Sequence, residues 1–146
     1  MIIIRKFEPA DFPWVIDIER KVFNEHDPYF YMQFYETCSE SFIVAEINGI
    51  IIGYIVGFLA EEGTGRIFSL AVHPAYQYRG VGSALLKEII GIFSRAGVPA
   101  IILEVRAGNT RARRFYEKHG FHQTGVAEQY YNDGEDACLM RLKTRS

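Results

Sequence analysis

The fold is decided by the stretch Gln77-Tyr78-Arg79-Gly80-Val81-Gly82-Ser83-Ala84, which follows the apolar run Ile67 to Val72 and opens a helix-periodic run. This order predicts a strand, a turn that contains glycines and the start of a helix. Gly80 and Gly82 lack a Cβ, so their backbone can approach a bulky ligand closely. The unpaired N–H groups of the first helical turn then point at that ligand, which favours an anion such as a pyrophosphate. A plain tight connection is the alternative.

Two common phosphate-binding motifs do not fit this turn. A Rossmann fingerprint needs three glycines spaced as G-x-G-x-x-G and an acidic residue about 20 positions later, and a Walker loop needs Gly-Lys followed by Ser or Thr. The stretch has neither arrangement. The predicted phosphate site therefore belongs to another class of glycine turn.

Length and composition predict a single domain over residues 1–146, because 49% of the residues are hydrophobic and the length suits one core. The formal net charge of −2 gives no broad attraction to nucleic acid or anionic membranes, so we expect neither as a partner. The opening Met1 to Lys6 is too short for a signal-peptide core, and no apolar run approaches the roughly 18 residues of a membrane span. We therefore expect a cytoplasmic protein, in which Cys38 and Cys138 are thiols rather than a disulfide.

Periodicity and breakers predict the element order βααβββαβαββ, which is mixed α/β. Asn48-Gly49 is a strong hairpin signal because both turn positions need positive φ. The helix after the glycine turn and the next strand form a β-α-β crossover, which should be right-handed with parallel strands. The predicted strands are Ile2 to Arg5, Phe42 to Ile47, Ile50 to Leu59, Arg66 to Val72, Ala100 to Val105, Phe121 to Val126 and Ala137 to Leu142.

Local signals place the four helices. Asp11 is a predicted N-cap, and Pro13 lies in the first turn of the first helix. A loop and a second short helix are predicted within the aromatic block Phe23 to Tyr35. The third helix starts at the glycine turn and ends at Gly97, and Asn109 caps the fourth.

Four further blocks occur in order along the chain. They are Leu70-Ala-Val-His-Pro-Ala-Tyr-Gln77, Leu103-Glu-Val-Arg-Ala-Gly-Asn109, Phe115-Tyr-Glu-Lys-His-Gly-Phe121 and Tyr130-Tyr-Asn-Asp-Gly-Glu-Asp-Ala137. With the Q/R-x-x-G-x-G/A pattern of the glycine turn, residues 2 to 142 resemble the GNAT acetyltransferases, and among them the RimI-like branch that acetylates protein N-termini. The resemblance implies a central mixed, mostly antiparallel sheet of about seven strands, with a parallel pair splayed at the coenzyme site, flanked by about four helices.

The resemblance also implies the reaction, in which a free amine attacks the thioester carbonyl of acetyl-coenzyme A, the cosubstrate. Glu104 matches the glutamate taken as the general base, and its alternative role is an ion pair with Arg106 two residues along the same strand face. Tyr116 matches a tyrosine near the coenzyme sulfur and is the expected general acid. Its alternative role is packing beside Phe115 on a buried helix face.

Further coenzyme contacts follow from the same resemblance. The backbone of Leu70 to Val72 would lie against the pantetheine arm and supply the N–H group for the oxyanion. Asn109 would bind the pantetheine arm, and a role as helix N-cap is equally compatible. Tyr78 departs from a common pattern of Arg or Lys after the glutamine, while Arg79 keeps a charge there. The predicted cofactor-binding residues are Leu70, Ala71, Val72, Gln77, Tyr78, Arg79, Gly80, Val81, Gly82, Ser83, Asn109 and Tyr116.

The acceptor site is implied by three residues. Glu25, Tyr130 and Tyr131 match positions at which the RimI-like branch lines the peptide. The alternatives are ordinary core packing for the tyrosine pair and a solvated loop charge for Glu25. The four histidines lack a spacing typical of metal ligands, so we expect no metal.

The leading hypothesis is an N-terminal protein acetyltransferase that transfers acetyl directly from acetyl-coenzyme A to the α-amine of a ribosomal protein or a nascent chain. A small-molecule amine N-acetyltransferase is the first alternative, and it would need a deeper acceptor pocket. A non-catalytic acyl-coenzyme A binding module is the second, and it would tolerate Glu104→Gln and Tyr116→Phe. The preferred N-terminal residues, the oligomeric state and any auxiliary subunit are left open.

Overall fold

The structure is a computed structural model that describes residues 1–144. Seven strands and four helices lie within these residues, in the predicted order, and each predicted strand agrees with an observed one to within one residue at either end. The strands are β1 (Ile3–Lys6), β2 (Phe42–Ile47), β3 (Ile50–Leu59), β4 (Gly65–Val72), β5 (Ala100–Arg106), β6 (His122–Ala127) and β7 (Ala137–Lys143), and the helices are α1 (Phe12–Val22), α2 (Pro28–Cys38), α3 (Val81–Arg95) and α4 (Thr110–Lys118).

All seven strands form one sheet in the order β1-β2-β3-β4-β5-β7-β6. Neighbouring strands are antiparallel except for β4 and β5, which are parallel. This is the mixed, mostly antiparallel sheet with one parallel pair that the sequence predicted. The pair β4 and β5 lies near the middle of the sheet. These strands are parallel because α3 carries the chain from the end of β4 to the start of β5.

The predicted hairpin between β2 and β3 is confirmed. Asn48 and Gly49 both have positive φ, 52° and 80°, and the ladder closes at the pair Ile47 and Ile50 on either side of them. The end of α3 is confirmed as well, because Gly97 has a φ of 78° and the N–H of Val98 bonds to a carbonyl of the last helical turn.

Helices cover both faces of the sheet and divide the core into two apolar clusters. On one face α3 packs its buried residues, which include Leu85 and Ile89, against strand residues such as Ile101, and α4 joins the same cluster. On the other face α1 and α2 bury residues that include Ile18 and Tyr31. Burial of these apolar side chains is the main stabilising contribution.

Asp11 occupies the position before α1, as predicted, but its side chain does not cap the helix. The Asp11 carboxylate instead accepts two hydrogen bonds from the guanidinium of Arg5, at 2.8 and 2.9 Å, and one from the N–H of Glu8. The prediction failed because the Arg5 guanidinium offers the Asp11 carboxylate two parallel charge-assisted hydrogen bonds, whereas the helix end offers single N–H donors.

Two further properties concern membrane-spanning helices and the state of the cysteines. Within residues 1–144, no helix is long and apolar enough to cross a membrane. Cys38 is partly exposed and Cys138 is buried, and both are free thiols.

Candidate active site

The sheet opens between β4 and β5. In the described part of the chain these strands pair only at Gly65 with Ile101 and at Arg66 with Ile102. Beyond Arg66 the strands separate, so the later residues of β4 and β5 face a gap instead of each other. The predicted oxyanion segment Leu70 to Val72 forms the end of β4 on this gap.

The glycine turn between β4 and α3 is a backbone cradle. Tyr78 and Gly80 have positive φ, 66° and 84°, and Gly80 occupies the position before the first helical residue. Within residues 1–144, no acceptor bonds the N–H groups of Val81, Gly82 and Ser83, which point out of the first turn of α3. A Cβ built on Gly80 would meet nothing within 4 Å, so this side of the turn is open. Free donors and open space fit a pyrophosphate.

Side chains around the cradle divide into structural and exposed groups. Gln77 donates a hydrogen bond from Nε2 to the carbonyl of Val72 at 3.0 Å, so it ties the turn to the end of β4. Tyr78 is 81% exposed, and the guanidinium of Arg111 lies over its ring at 4.9 Å. Arg79 lies over the ring of Tyr76 at 5.6 Å. Arg111 was not predicted, although its place in the first turn of α4 after Asn109 could have indicated a cation near the cradle.

Glu104 on β5 lies at the gap with both carboxylate oxygens occupied. Oε2 forms an ion pair with Nη2 of Arg66 on β4, and Oε1 accepts a hydrogen bond of 3.3 Å from the hydroxyl of Tyr130. The alternative of an ion pair with Arg106 is wrong. Arg106 lies one strand repeat further along β5 and reaches the loop between β6 and β7 instead. Arg66 was also missed, because the parallel register that sets it beside Glu104 cannot be read from the sequence.

Tyr116 lies on α4 and packs edge-on against the rings of Phe115 and Phe121. The packing alternative therefore describes part of its environment. Burial, with a smaller contribution from Tyr131, raises the pKa of Tyr116 well above its ordinary value. Among residues 1–144 its hydroxyl has no hydrogen-bond partner, which leaves the phenol available to a ligand.

Asn109 caps α4, because its Oδ1 accepts a hydrogen bond of 3.1 Å from the N–H of Ala112. The N-cap role is confirmed. The amide nitrogen of Asn109 is not used by the cap, so a contact with the pantetheine arm stays a prediction that this geometry allows.

Two of the three predicted acceptor residues, Glu25 and Tyr131, meet around one guanidinium. Arg106 forms an ion pair with Glu25 of the α1–α2 loop, and it bonds Asp133 at 3.0 Å and Glu135 at 2.8 Å on the β6–β7 loop. The same guanidinium lies 4.1 Å from the ring centre of Tyr131. Glu25 is therefore an exposed loop charge that is paired with Arg106. Arg106 therefore joins the α1–α2 loop to the β6–β7 loop. We call the surface formed by these two loops beside Glu104 the acceptor cleft.

The pKa values of two carboxylates in this cluster, Asp133 and Glu135, are lowered. The hydrogen bond from Arg106 is the largest cause that lowers the pKa of Glu135, and the N–H of Glu135 is the largest cause for Asp133. Burial raises the pKa of Tyr131 to about 12, so its phenol stays neutral beside the carboxylates. Tyr130 packs edge-on against Tyr131 at 5.0 Å and is 49% exposed, so the pair forms part of the cleft surface and not only core.

No cluster of three or more His, Cys, Asp or Glu side chains in residues 1–144 could hold a metal ion. Two of the histidines make local hydrogen-bond contacts. His73 accepts from the N–H of Ala75 at 3.0 Å in the turn after β4, and Nδ1 of His119 lies 2.9 Å from the carbonyl of Phe115.

Comparison with known sequences finds one family and several similar proteins. The family model described as the acetyltransferase (GNAT) family matches residues 5–121. An uncharacterized N-acetyltransferase of Methanocaldococcus jannaschii is 42% identical over 144 residues, which cover 97% of this chain and 92% of that protein. An N-alpha-acetyltransferase of Sulfurisphaera tokodaii is 35% identical over 94% of this chain and 90% of its own length. The [ribosomal protein bS18]-alanine N-acetyltransferase of Escherichia coli is 34% identical over 90% of this chain and 81% of its own length.

Solved structures agree with the sequence comparison. The crystal structure of Ard1 from Thermoplasma volcanium superposes with a TM-score of 0.95 at 31% identity and covers 99% of each chain. The similarity therefore extends over the gap, the cradle and both loops of the acceptor side.

Proposed function

Because this chain belongs to the GNAT acetyltransferase family, we propose that it uses acetyl-coenzyme A to acetylate the α-amino group of protein N-termini. The observation that carries the proposal is the acceptor side of the gap. There the α1–α2 loop and the β6–β7 loop meet through Arg106, next to Glu104 and the exposed Tyr130. A surface with exposed side chains such as Tyr130 suits a chain terminus, whereas a small amine calls for an enclosed pocket.

The names of similar proteins support this acceptor class. The Sulfurisphaera protein is an N-alpha-acetyltransferase, and the Escherichia coli protein acts on the alanine of a ribosomal protein. We propose the same class here, a ribosomal protein or a nascent chain, which places the reaction in the cytoplasm. Acetyl-coenzyme A is the donor, and its pyrophosphate would be held by the free N–H groups of Val81 to Ser83 and by the nearby Arg79 and Arg111.

Glu104 is the proposed base. The amine nitrogen forms a bond to the acetyl carbonyl carbon, the carbon–sulfur bond breaks, and the amine gives up a proton. Oε2 of Glu104 stays on Arg66, whereas Oε1 is held only by the longer bond from the half-exposed Tyr130. Oε1 therefore receives the proton, directly or through a water molecule, and passes it to solvent.

Tyr116 is the proposed partner of the leaving sulfur. A thiol has an ordinary pKa of about 8.5, well below that of a buried phenol, so complete proton transfer from Tyr116 to the thiolate is unfavourable. Donation of a hydrogen bond by the phenol stabilises the negative charge that develops on sulfur. Solvent then protonates the released thiolate. The oxyanion would bind a backbone N–H group between Leu70 and Val72 at the end of β4.

A peptide library tests the acceptor class. Purified protein is incubated with acetyl-coenzyme A and peptides that differ in their first two residues, beside N-terminally blocked peptides with internal lysines and a panel of small amines. We expect mass spectrometry to find acetyl on free α-amines only. Reaction confined to lysine side chains or to small amines would refute the proposal, and the absence of any transfer would favour a binding module.

A further inference from the structure

Glu19, on the buried face of α1, accepts hydrogen bonds from the first four residues of the α1–α2 loop, residues 23–26. Its side chain is 3% exposed, and one oxygen, Oε2, accepts hydrogen bonds from the N–H groups of Glu25 at 2.8 Å and His26 at 3.0 Å. Its main-chain carbonyl accepts two more, from Phe23 at 2.8 Å and Asn24 at 2.7 Å. Asn24 has a φ of 54°, which turns the chain so that four successive N–H groups reach one residue.

Polar contacts continue from this anchor into the sheet. Nδ1 of His26 lies 3.3 Å from Oε2 of Glu19 and 3.1 Å from the hydroxyl of Tyr31. The Tyr31 hydroxyl lies 3.1 Å from that of Tyr54, which lies 2.9 Å from Oγ of Ser69 on β4. Burial raises the pKa values of both tyrosines, so these hydroxyls stay neutral. The loop is thereby fixed to the strand that leads to the gap.

Glu25 links the anchored loop to Arg106. Its carboxylate forms the ion pair with Arg106, while its own N–H group donates a hydrogen bond to Glu19. The position of Glu25 therefore depends on a residue that itself touches neither the cleft nor Glu104.

We propose that Glu19 is a positioning residue for the acceptor substrate, acting through Glu25. The inference rests on the proposed function, because it assigns Glu19 to the acceptor side of that reaction. The coenzyme cradle lies between β4 and α3 and is not in contact with this anchor. Loss of the anchor should therefore weaken acceptor binding and leave coenzyme binding unchanged.

The geometry supplies a matched control. Because one oxygen of Glu19 accepts both N–H groups, the carbonyl oxygen of Gln can take its place, so Glu19→Gln keeps the anchor without the charge. Glu19→Met has a similar length and no acceptor for the two N–H groups. Since the effect passes through Glu25, the changes Glu19→Met and Glu25→Ala should not be additive.

The experiment compares these variants in steady-state kinetics with a peptide that the wild type acetylates. We expect Glu19→Met to raise the acceptor KM at least tenfold, with kcat and the acetyl-coenzyme A KM within threefold of wild type. Glu19→Gln should stay within threefold in every parameter. The double variant Glu19→Met/Glu25→Ala should bind acceptor no more weakly than the poorer single variant. Hydrogen exchange at residues 23 to 26 should be faster in Glu19→Met and unchanged in Glu19→Gln.

Other results would overturn the inference. They are an unchanged acceptor KM in Glu19→Met, an equal rise of both KM values, additive effects of the two changes, or unchanged exchange in the loop. Failure of the proposed function looks different, because the wild type would then acetylate no peptide. In that case the exchange measurement still decides whether Glu19 anchors the loop, and an unaltered loop would refute its role.

Discussion

The substitution Glu104→Gln tests the proposed base most directly. Gln has the same shape, its carbonyl oxygen can accept from Arg66, and the Tyr130 hydroxyl can turn to accept from its amide nitrogen. The Arg66 side chain is 29% exposed and keeps an acceptor in the Gln carbonyl oxygen, so we expect the fold to be retained. The change removes the one thing under test, the ability to take a proton.

The size of the effect separates two roles of Glu104. An α-amine with a pKa of about 7.8 is already about 14% unprotonated at pH 7 and about 94% at pH 9. If Glu104 only removed the ammonium proton before attack, its loss would cost at most about sevenfold at pH 7 and almost nothing at pH 9. A base that takes the proton during attack contributes about 10²- to 10⁴-fold at either pH. Because Oε1 faces the open gap, we expect the second role.

The assay is continuous detection of the released thiol, with kcat/KM for the peptide measured from pH 6.5 to 9.5. We expect Glu104→Gln to lower this constant by at least about 10²-fold at pH 7 and to remain more than about tenfold lower at pH 9. A circular dichroism spectrum and a coenzyme affinity equal to wild type are the controls. A deficit of less than sevenfold at pH 7 that disappears at pH 9 would refute catalysis by Glu104 during attack.

Three further changes test the cradle, the phenol and the buried tyrosines. Tyr116→Phe removes the proposed hydrogen bond to the charged sulfur, which contributes about 1.5–3 kcal/mol to transition-state stabilisation. The kcat should therefore fall about 10- to 150-fold with the acetyl-coenzyme A KM unchanged. An unchanged kcat would show that the phenol only packs. Gly80→Ala puts a Cβ on a residue with a φ of 84°, so denaturant titration should show a loss of about 1–2 kcal/mol in the free energy of unfolding, together with a raised acetyl-coenzyme A KM. In the control Gly82→Ala the new Cβ would lie 3.5 Å from Phe115, an ordinary contact, so this variant should be as stable as wild type. Equal stabilities of the two variants would contradict the argument. Burial raises the pKa values of Tyr31 and Tyr54 above the unfolded value of about 10, so their contribution is complete below pH 10 and declines above it. The free energy of unfolding should therefore fall between pH 9 and 11, and Tyr31→Phe should reduce that fall.

The sheet was predictable from the sequence because its signals are local. Asn48-Gly49 and Gly97 need positive φ, and the structure places both at the expected turns. The family and the fold followed from motifs at the glycine turn and on β5, and the family match over residues 5–121 confirms them. The prediction that Asp11 caps α1 was wrong because its side chain bonds to Arg5 on β1 instead. No local sequence pattern predicts that bond between side chains.

The candidate site was predictable only residue by residue. Glu104 and Glu25 were predicted as site residues from their positions in motifs, but the side chains that they contact were not predicted. The ion pair between Arg66 and Glu104 depends on a parallel register between strands that are separated by a helix. The chemistry of the site thus resides in contacts between distant segments, which a local reading of the sequence cannot supply.

The gap between β4 and β5 has a thermodynamic consequence for the whole protein. In the described chain only two residue pairs join β4 to β5, so we expect the donor's extended arm to bind between the strands beyond them and to link the two halves of the sheet. A ligand that binds only the folded chain adds about 2.7 kcal/mol of stability at a concentration of 100 times its Kd. Resistance to heat and proteolysis should therefore rise with the supply of activated acetate, so that the abundance of this enzyme follows the metabolic state that its reaction depends on.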